Sequence, residues 1–209
     1  MVYMFLYNGL QVRTNTEETG MGYSASRTEI STYSGRYVDL ADPQPESFVI
    51  EDIARGLSNT CRFGGQCNEF YSVAQHSVLV SHLVPKEHQL AALLHDSSEA
   101  YCPDLQTPLK KMLPEFKEIE KKVEAAIFRK FGIPFPLDAS VKVADLKALA
   151  TERRDVTQWG KDFWPLLGDI EPLPIRIDPL SAKQAYSAFM DRFYELADSI
   201  IFENSVLLG

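Results

Sequence analysis

The residues of this chain best suited to chemistry stand at the end of the stretch Leu90 to Asp104, where Leu-Ala-Ala-Leu-Leu runs straight into His95-Asp96 and Glu99 follows one turn on. An apolar run that stops in an imidazole and a carboxylate describes a buried helix delivering ligands to a site. Adjacent helix positions point about 100° apart, so His95 and Asp96 do not share a stripe. A long imidazole and a short carboxylate can still converge on an ion at the helix flank. Glu99, at i+4 from His95 and i+3 from Asp96, can orient either ligand or hold a water beside the ion. Pro103 then stops the helix, and Asp104 follows at the edge of the site. Isolated His-Asp pairs are common in proteins that bind no metal. The apolar setting of this one matters, because an unpaired ionised Asp in a core is costly and calls for a cation or a ligand role.

Other inward faces must bring partners to that pair. Tyr71 to Val80 reads as a helix, and His76 lies on its face with Val73 and Val80. A lone His there is more often a hydrogen-bonded core residue, so its value depends on meeting His95 and Asp96. A later helix is marked by Val141, Ala144, Leu149 and Ala150, with Asp145 on the apolar side as a second inward carboxylate. The remaining elements frame these. A helix is expected from Ser47, a capping residue type, through Ile50, Ile53, Ala54 and Leu57. It gives way to the loop Arg62-Phe63-Gly64-Gly65-Gln66, whose glycines allow close approach of backbone to a ligand. Arg62 there reads equally as a phosphate or sugar contact and as a surface Arg packed on Phe63.

His82 and His88 flank Pro85 and read as solvated, and Thr107 to Lys111 reads as a loop carrying Lys110 and Lys111 just past Asp104. Phe116, Ile119, Val123, Ala126 and Ile127 mark a long amphipathic helix closed by Gly132 and Pro134. Trp159 to Leu180 is a proline-rich, aromatic loop, and Ala182 to Leu196 carries the last helical period. Residues 1 to 35, including Thr14 to Gly20, show no sustained period and read as an irregular N-terminal extension before a domain of residues 36 to 209. The expected fold is all-α, a helical bundle with long loops.

Composition narrows the function classes. A 209-residue chain with 45% hydrophobic and 24% charged residues is ordinary for one globular domain. A net charge of −8 argues against wrapping polymeric nucleic acid, but leaves room for a small phosphorylated ligand held by local cations and a metal. Three cysteines, Cys61, Cys67 and Cys102, form no disulfide frame and suit a reducing compartment. No basic leader precedes the apolar residues of Met1 to Leu10, and no apolar run approaches the roughly 20 residues of a spanning helix. A cytoplasmic protein without a membrane partner is expected.

Taken together, His76, His95, Asp96 and Asp145 offer two imidazoles and two carboxylates from three inward faces. Mixed nitrogen and oxygen donors suit a divalent ion such as Mn²⁺, Co²⁺, Fe²⁺ or Zn²⁺. Such an ion acidifies its water and polarises a phosphoryl oxygen, so hydrolysis of a phosphate ester is the natural use.

The pattern resembles the HD-domain metal-dependent phosphohydrolases, whose signature is His, then His-Asp, then a distant Asp on a helical bundle. Within them it is most similar to the branch of bacterial 5'-deoxynucleotidases and phage dATP triphosphohydrolases, over roughly Tyr37 to Asp155. The matching residues are Arg62-Phe63, His76 in Ala-Gln-His-Ser, His95-Asp96, Glu99, Asp104, Pro108-Leu109-Lys110 and Asp145. The resemblance implies His76, His95, Asp96 and Asp145 as metal ligands, Glu99 in activating water and Asp104 in proton transfer or substrate binding. It implies Arg62 and Lys110 as phosphate contacts and Phe63 as a substrate contact, where deoxynucleotidases often carry Trp. The extra histidines of binuclear relatives are missing, since His occurs only at 76, 82, 88 and 95. One protein-held ion is therefore expected, Mg²⁺ remaining open besides the four above, with a second arriving on substrate phosphates.

The implied substrate is a small deoxynucleotide, cut at the 5' ester to release phosphate or triphosphate, and the implied state is a homo-oligomer. Two other classes compete with this. A non-catalytic nucleotide-sensing module of the same fold would keep the pocket without turnover, and a di-iron oxygenase would need the missing histidines. Motifs of P-loop, serine-hydrolase and zinc-deaminase enzymes are absent from the sequence.

Overall fold

The computed structural model of the protein describes residues 28–159 and 162–207. Most of the extension expected at residues 1 to 35, with Thr14 to Gly20, lies outside the described residues. Its last part does not behave as an extension. Strand β1 (Glu29–Ser31) pairs antiparallel with β2 (Tyr37–Asp39), Ile30 opposite Val38. The turn between them is tied to the domain by Ser34, whose N and Oγ donate to the buried Asp52 carboxylate at 2.8 and 2.7 Å. Val38, opposite Ile30, is completely buried.

The rest is helical, as the periodicities require. Helix α1 (Ile50–Asn59) buries Ile50, Ile53, Ala54 and Leu57. It starts later than expected and Ser47 does not cap it. Pro45–Ser47 forms a separate 3-10 turn, and Val49 precedes α1 without a side-chain cap, leaving Glu51 and Asp52 in its first turn to face the positive end of the dipole. Helix α2 (Val73–Ser81) is capped by Ser72, whose Oγ accepts from Gln75 N at 3.2 Å.

The continuous helix expected through residues 90 to 102 is broken. Helix α3 (Gln89–Leu93) ends at Leu94 (φ −103°, ψ 7°), and a 3-10 turn resumes at Ser97–Ala100 after Asp96 (φ −102°, ψ 17°). Both residues sit in the sparsely used bridge region, which frees His95 and Asp96 from the fixed 100° helical offset. Gly56 lets α1 close onto this turn, since a Cβ there would stand 2.7 Å from Ala100 Cα.

Thr107–Lys110, expected as loop, is the short helix α4 with Pro108 in its first turn. Helix α5 (Pro114–Phe131) ends where Gly132 takes the left-handed conformation (φ 67°). Helix α6 (Ala139–Val156) is capped by Asp138, which accepts from Ser140 N at 2.8 Å, and α7 (Ala182–Leu207) closes the bundle. Among the described residues the fold is all-α apart from the hairpin, and no helix is long and apolar enough to cross a membrane.

The main core gathers Phe48, Ile53, Leu57, Leu93, Leu94, Ile127, Phe128 and Phe189 from α1, α3, α5, α7 and their connections. A smaller cluster of Val80, Val84, Ala92, Val141, Ala144 and Ala148 packs α2 against α6. Small side chains at that contact bring the two helices close, and the candidate ligands lie along it.

Candidate metal centre

Helix α2 aims His76, completely buried, at the break that carries His95 and Asp96. Helix α6 adds Asp145 from the opposite side. His76 Nε2 lies 3.3 Å from His95 Nε2, 3.5 Å from Asp96 Oδ2 and 3.4 Å from Asp145 Oδ1. His95 Nε2 is 3.2 Å from Asp96 Oδ2. Ligating atoms of His76, His95 and Asp145 all fall within 4.8 Å of one another, an arrangement that can hold a metal ion.

The outer nitrogens fix the tautomers. His76 Nδ1 donates to Glu152 Oε1 at 2.5 Å, and His95 Nδ1 donates to the Ala92 carbonyl at 2.8 Å. A carbonyl and an ionised carboxylate can only accept, so both Nδ1 atoms carry the proton, and both Nε2 atoms, facing the same space as two carboxylates, are the positions that would turn a lone pair to a metal. Four acceptors crowded together repel unless a positive charge sits among them. In the metal-free protein that pull shows on His76. Burial and the Arg62 charge push it down, yet the Glu152 and Asp145 carboxylates outweigh them and raise it to about 9. Burial also opposes the charge on Asp96, but His95 and His76 hold it well below the carboxylate range. Asp145 is held low in the same way by its hydrogen bond to His76. The donor set fits a divalent ion with mixed nitrogen and oxygen preference.

Glu152 was not anticipated from the sequence. It follows Asp145 by two turns on the same face of α6, so one helix grips both nitrogens of the same imidazole. Glu152 is completely buried and also accepts from Arg62 Nη2 at 2.9 Å and from the Tyr71 hydroxyl at 3.1 Å. Burial works against its charge, but Arg62 and His76 bring it down to about 2. A carboxylate behind a ligating His fixes the ring and raises its basicity.

The expected substrate contacts fall differently. Arg62 is buried, not at the surface, with Nη1 3.7 Å from Asp96 Oδ2 in addition to its Glu152 pair. Its backbone N donates to Tyr71 O at 2.8 Å, tying it to the segment that leads into α2. Phe63 takes a left-handed backbone (φ 59°), followed by Gly64 and Gly65, and its carbonyl accepts from Gln106 at 2.8 Å. Its ring packs on Trp159 and Trp164, with centroids 6.2 and 6.3 Å away. Lys110 pairs with Glu120 at 2.7 Å and stands 3.9 Å from Glu99.

Glu99 is buried to 8% exposure, and its Oε2 has no hydrogen-bond partner. Burial, with Asp96 and Asp104 nearby, pushes its carboxyl well above the ordinary range. Asp104 is raised mainly by burial, against the pull of Arg62. A further carboxylate, Glu124 of α5, lines a cleft together with His95, Asp96 and Asp145, and burial with Glu120 lifts it to about 6.

Fold and site together define a helical protein built around a candidate metal centre of two histidines and two aspartates. No family model matches the chain. It is 46% identical over 170 residues to the uncharacterized protein YfdR of Escherichia coli (strain K12), covering 81% of this chain and 96% of that one. It is 33% identical over 187 residues to an uncharacterized protein of Rhodobacter capsulatus, covering 80% of this chain and 94% of that one. The chain therefore belongs to the YfdR family.

Proposed function

We propose that this protein is a metal-dependent phosphohydrolase of the HD-domain type, cleaving the 5' phosphoester of deoxynucleotides to release the nucleoside. The observation that carries this reading is the meeting of His76, His95, Asp96 and Asp145 around one point, with the Nε2 atoms of the two imidazoles 3.3 Å apart. A divalent ion bound there would supply Lewis acidity to a phosphoryl oxygen and acidify a water. The chain's own groups do the rest. Glu99, with a buried, unbonded oxygen and a carboxyl raised by burial and by Asp96, serves as the proton-exchanging group, and Asp104 assists. Arg62, locked by Glu152, sets a fixed positive charge behind Asp96. Lys110 reaches the phosphate by leaving Glu120.

Charge balance favours one phosphate over three. Arg62 and Lys142 are held by carboxylates and Lys110 is taken up by the first phosphate, so the charge of a β- and γ-phosphate would meet no further partner among these cations. Free thiols at Cys61, Cys67 and Cys102 accord with a cytoplasmic enzyme.

The test is a chromatographic product assay over deoxynucleoside mono- and triphosphates with Mn²⁺, Co²⁺, Zn²⁺ or Mg²⁺. Nucleoside should appear, faster from monophosphates, and Asp96→Ala should reduce it to background. A wild-type protein that turns over neither class with any of these ions refutes the proposal.

A further inference from the structure

Beside the centre the surface opens into a cleft of about 360 Å³, floored by His95, Asp96 and Asp145 and walled by α5 and the segment that enters α6. Its volume falls in the range of roughly 300–1,000 Å³ typical of small-molecule sites.

Two features of its walls serve no evident purpose in folding. Phe135 stands at the rim with 69% of its surface exposed, touching Phe128 at a centroid distance of 6.3 Å. Leaving so large an apolar ring in water forfeits the stabilisation that burial would give. Glu124 presents a carboxylate to the cleft with no hydrogen-bond partner among the described residues. Leu137 and Val141 add apolar surface to the lining.

The chemistry of these walls selects what can enter. Glu124 and Asp138 repel phosphate, and the one lysine of the lining, Lys142, is already paired with Asp145 at 2.7 Å, so the anionic end of a substrate stays at the centre. The part that extends into the cleft must be uncharged, must have a flat face for the Phe135 ring and must carry hydrogen-bond donors for Glu124. A nucleoside meets all three conditions.

We propose that this cleft seats the nucleoside of the substrate, with the Phe135 ring stacking on the base and the Glu124 carboxylate accepting a hydrogen bond from it. The assignment rests on the hydrolase reading for the place of the phosphate, and adds which residues select the remainder of the molecule.

Steady-state kinetics of the wild type, Phe135→Ala and Glu124→Gln test it on a deoxynucleoside monophosphate and on 2-deoxyribose 5-phosphate, which has the same ester and no base. Phe135→Ala should raise KM for the nucleotide about tenfold, the loss expected on removing one stacking face. The kcat should stay near wild type, and KM for the sugar phosphate should not move. Glu124→Gln, which keeps the shape and removes the charge, should raise the nucleotide KM by a smaller factor. Because Phe135 is exposed, its truncation leaves the core intact. Unchanged nucleotide KM in both variants, or an equal rise on the sugar phosphate, overturns the assignment while leaving the hydrolase reading in place. NMR titration with a deoxynucleoside lacking phosphate separates the two ideas further. If the wild type hydrolyses nothing but binds the nucleoside in a Phe135-dependent way, the hydrolase reading falls and the cleft stands. If it neither hydrolyses nor binds, both fall.

Discussion

Two groups of carboxylates surround the centre, and burial acts on both in the same direction, raising their pKa values. On the α2 and α6 side, Asp96, Asp145 and Glu152 are nevertheless held low, because each faces an imidazole and Asp96 and Glu152 also face Arg62. Glu99, Asp104 and Glu124 are all pushed up, mainly by burial, with Asp96 adding to each, Asp104 to Glu99 and Glu120 to Glu124, and the pull of Lys110 and, on the first two, Arg62 does not cancel it. One side chain type thus takes two roles according to its partners. Paired carboxylates stay ionised and hold position or bind a cation. Those pushed up favour the protonated form and can pass the proton on.

The sharpest way to break this contrast is to neutralise one member of each group. Glu99→Gln should lower kcat by about 10²–10⁴, the range for losing an acid-base group, with the metal content of the protein unchanged. If kcat falls less than tenfold, or metal is lost in parallel, Glu99 is a ligand or a bystander and the division fails. Glu152→Gln should act the other way, weakening metal affinity about 10–100-fold while largely sparing kcat at saturating metal. Metal titration followed by activity reads both numbers on one sample. A large loss of kcat at saturating metal would place Glu152 among the reacting groups.

How much of this could be read from the sequence depends on the length scale of the interaction. Helices α2, α5, α6 and α7 were legible because their apolar periods run unbroken between a cap or proline and a glycine or proline. Inward placement of His76 and Asp145 followed from the same periods. The break at residues 94–96 was not legible, since Leu90 to Ala100 contains no glycine or proline and reads as helix throughout. Glu152 was legible in principle, because it follows Asp145 by seven residues on the face that buries Ala148. Its hold on Arg62 was not, because that pair joins residues 90 positions apart. Lys110 and Arg62 have the types of phosphate contacts, but sequence gives no sign that each is already matched to an acid.

The smallest effect expected is also the one that separates the two groups by sign. Glu152, lowered from 4.5 to about 2, contributes stability that is present above pH 4.5 and lost as pH falls towards 2. Glu124, raised from 4.5 to about 6, does the reverse: its contribution is present below pH 4.5 and lost as pH rises through 6. At pH 7 the folded protein therefore carries a Glu124 charge it would be more stable without. Glu124→Gln should stabilise the metal-free protein at pH 7 by about 1 kcal/mol, once the shift is discounted for partial exposure, and by next to nothing at pH 4. Denaturant unfolding at the two pH values measures the difference. An equal gain at both would trace to packing rather than charge, and a loss at pH 7 would mean that Glu124 is paired like Asp96, Asp145 and Glu152. The expected combination, a more stable protein that binds nucleotide less well, is the signature of a group kept for its ligand at the expense of the fold.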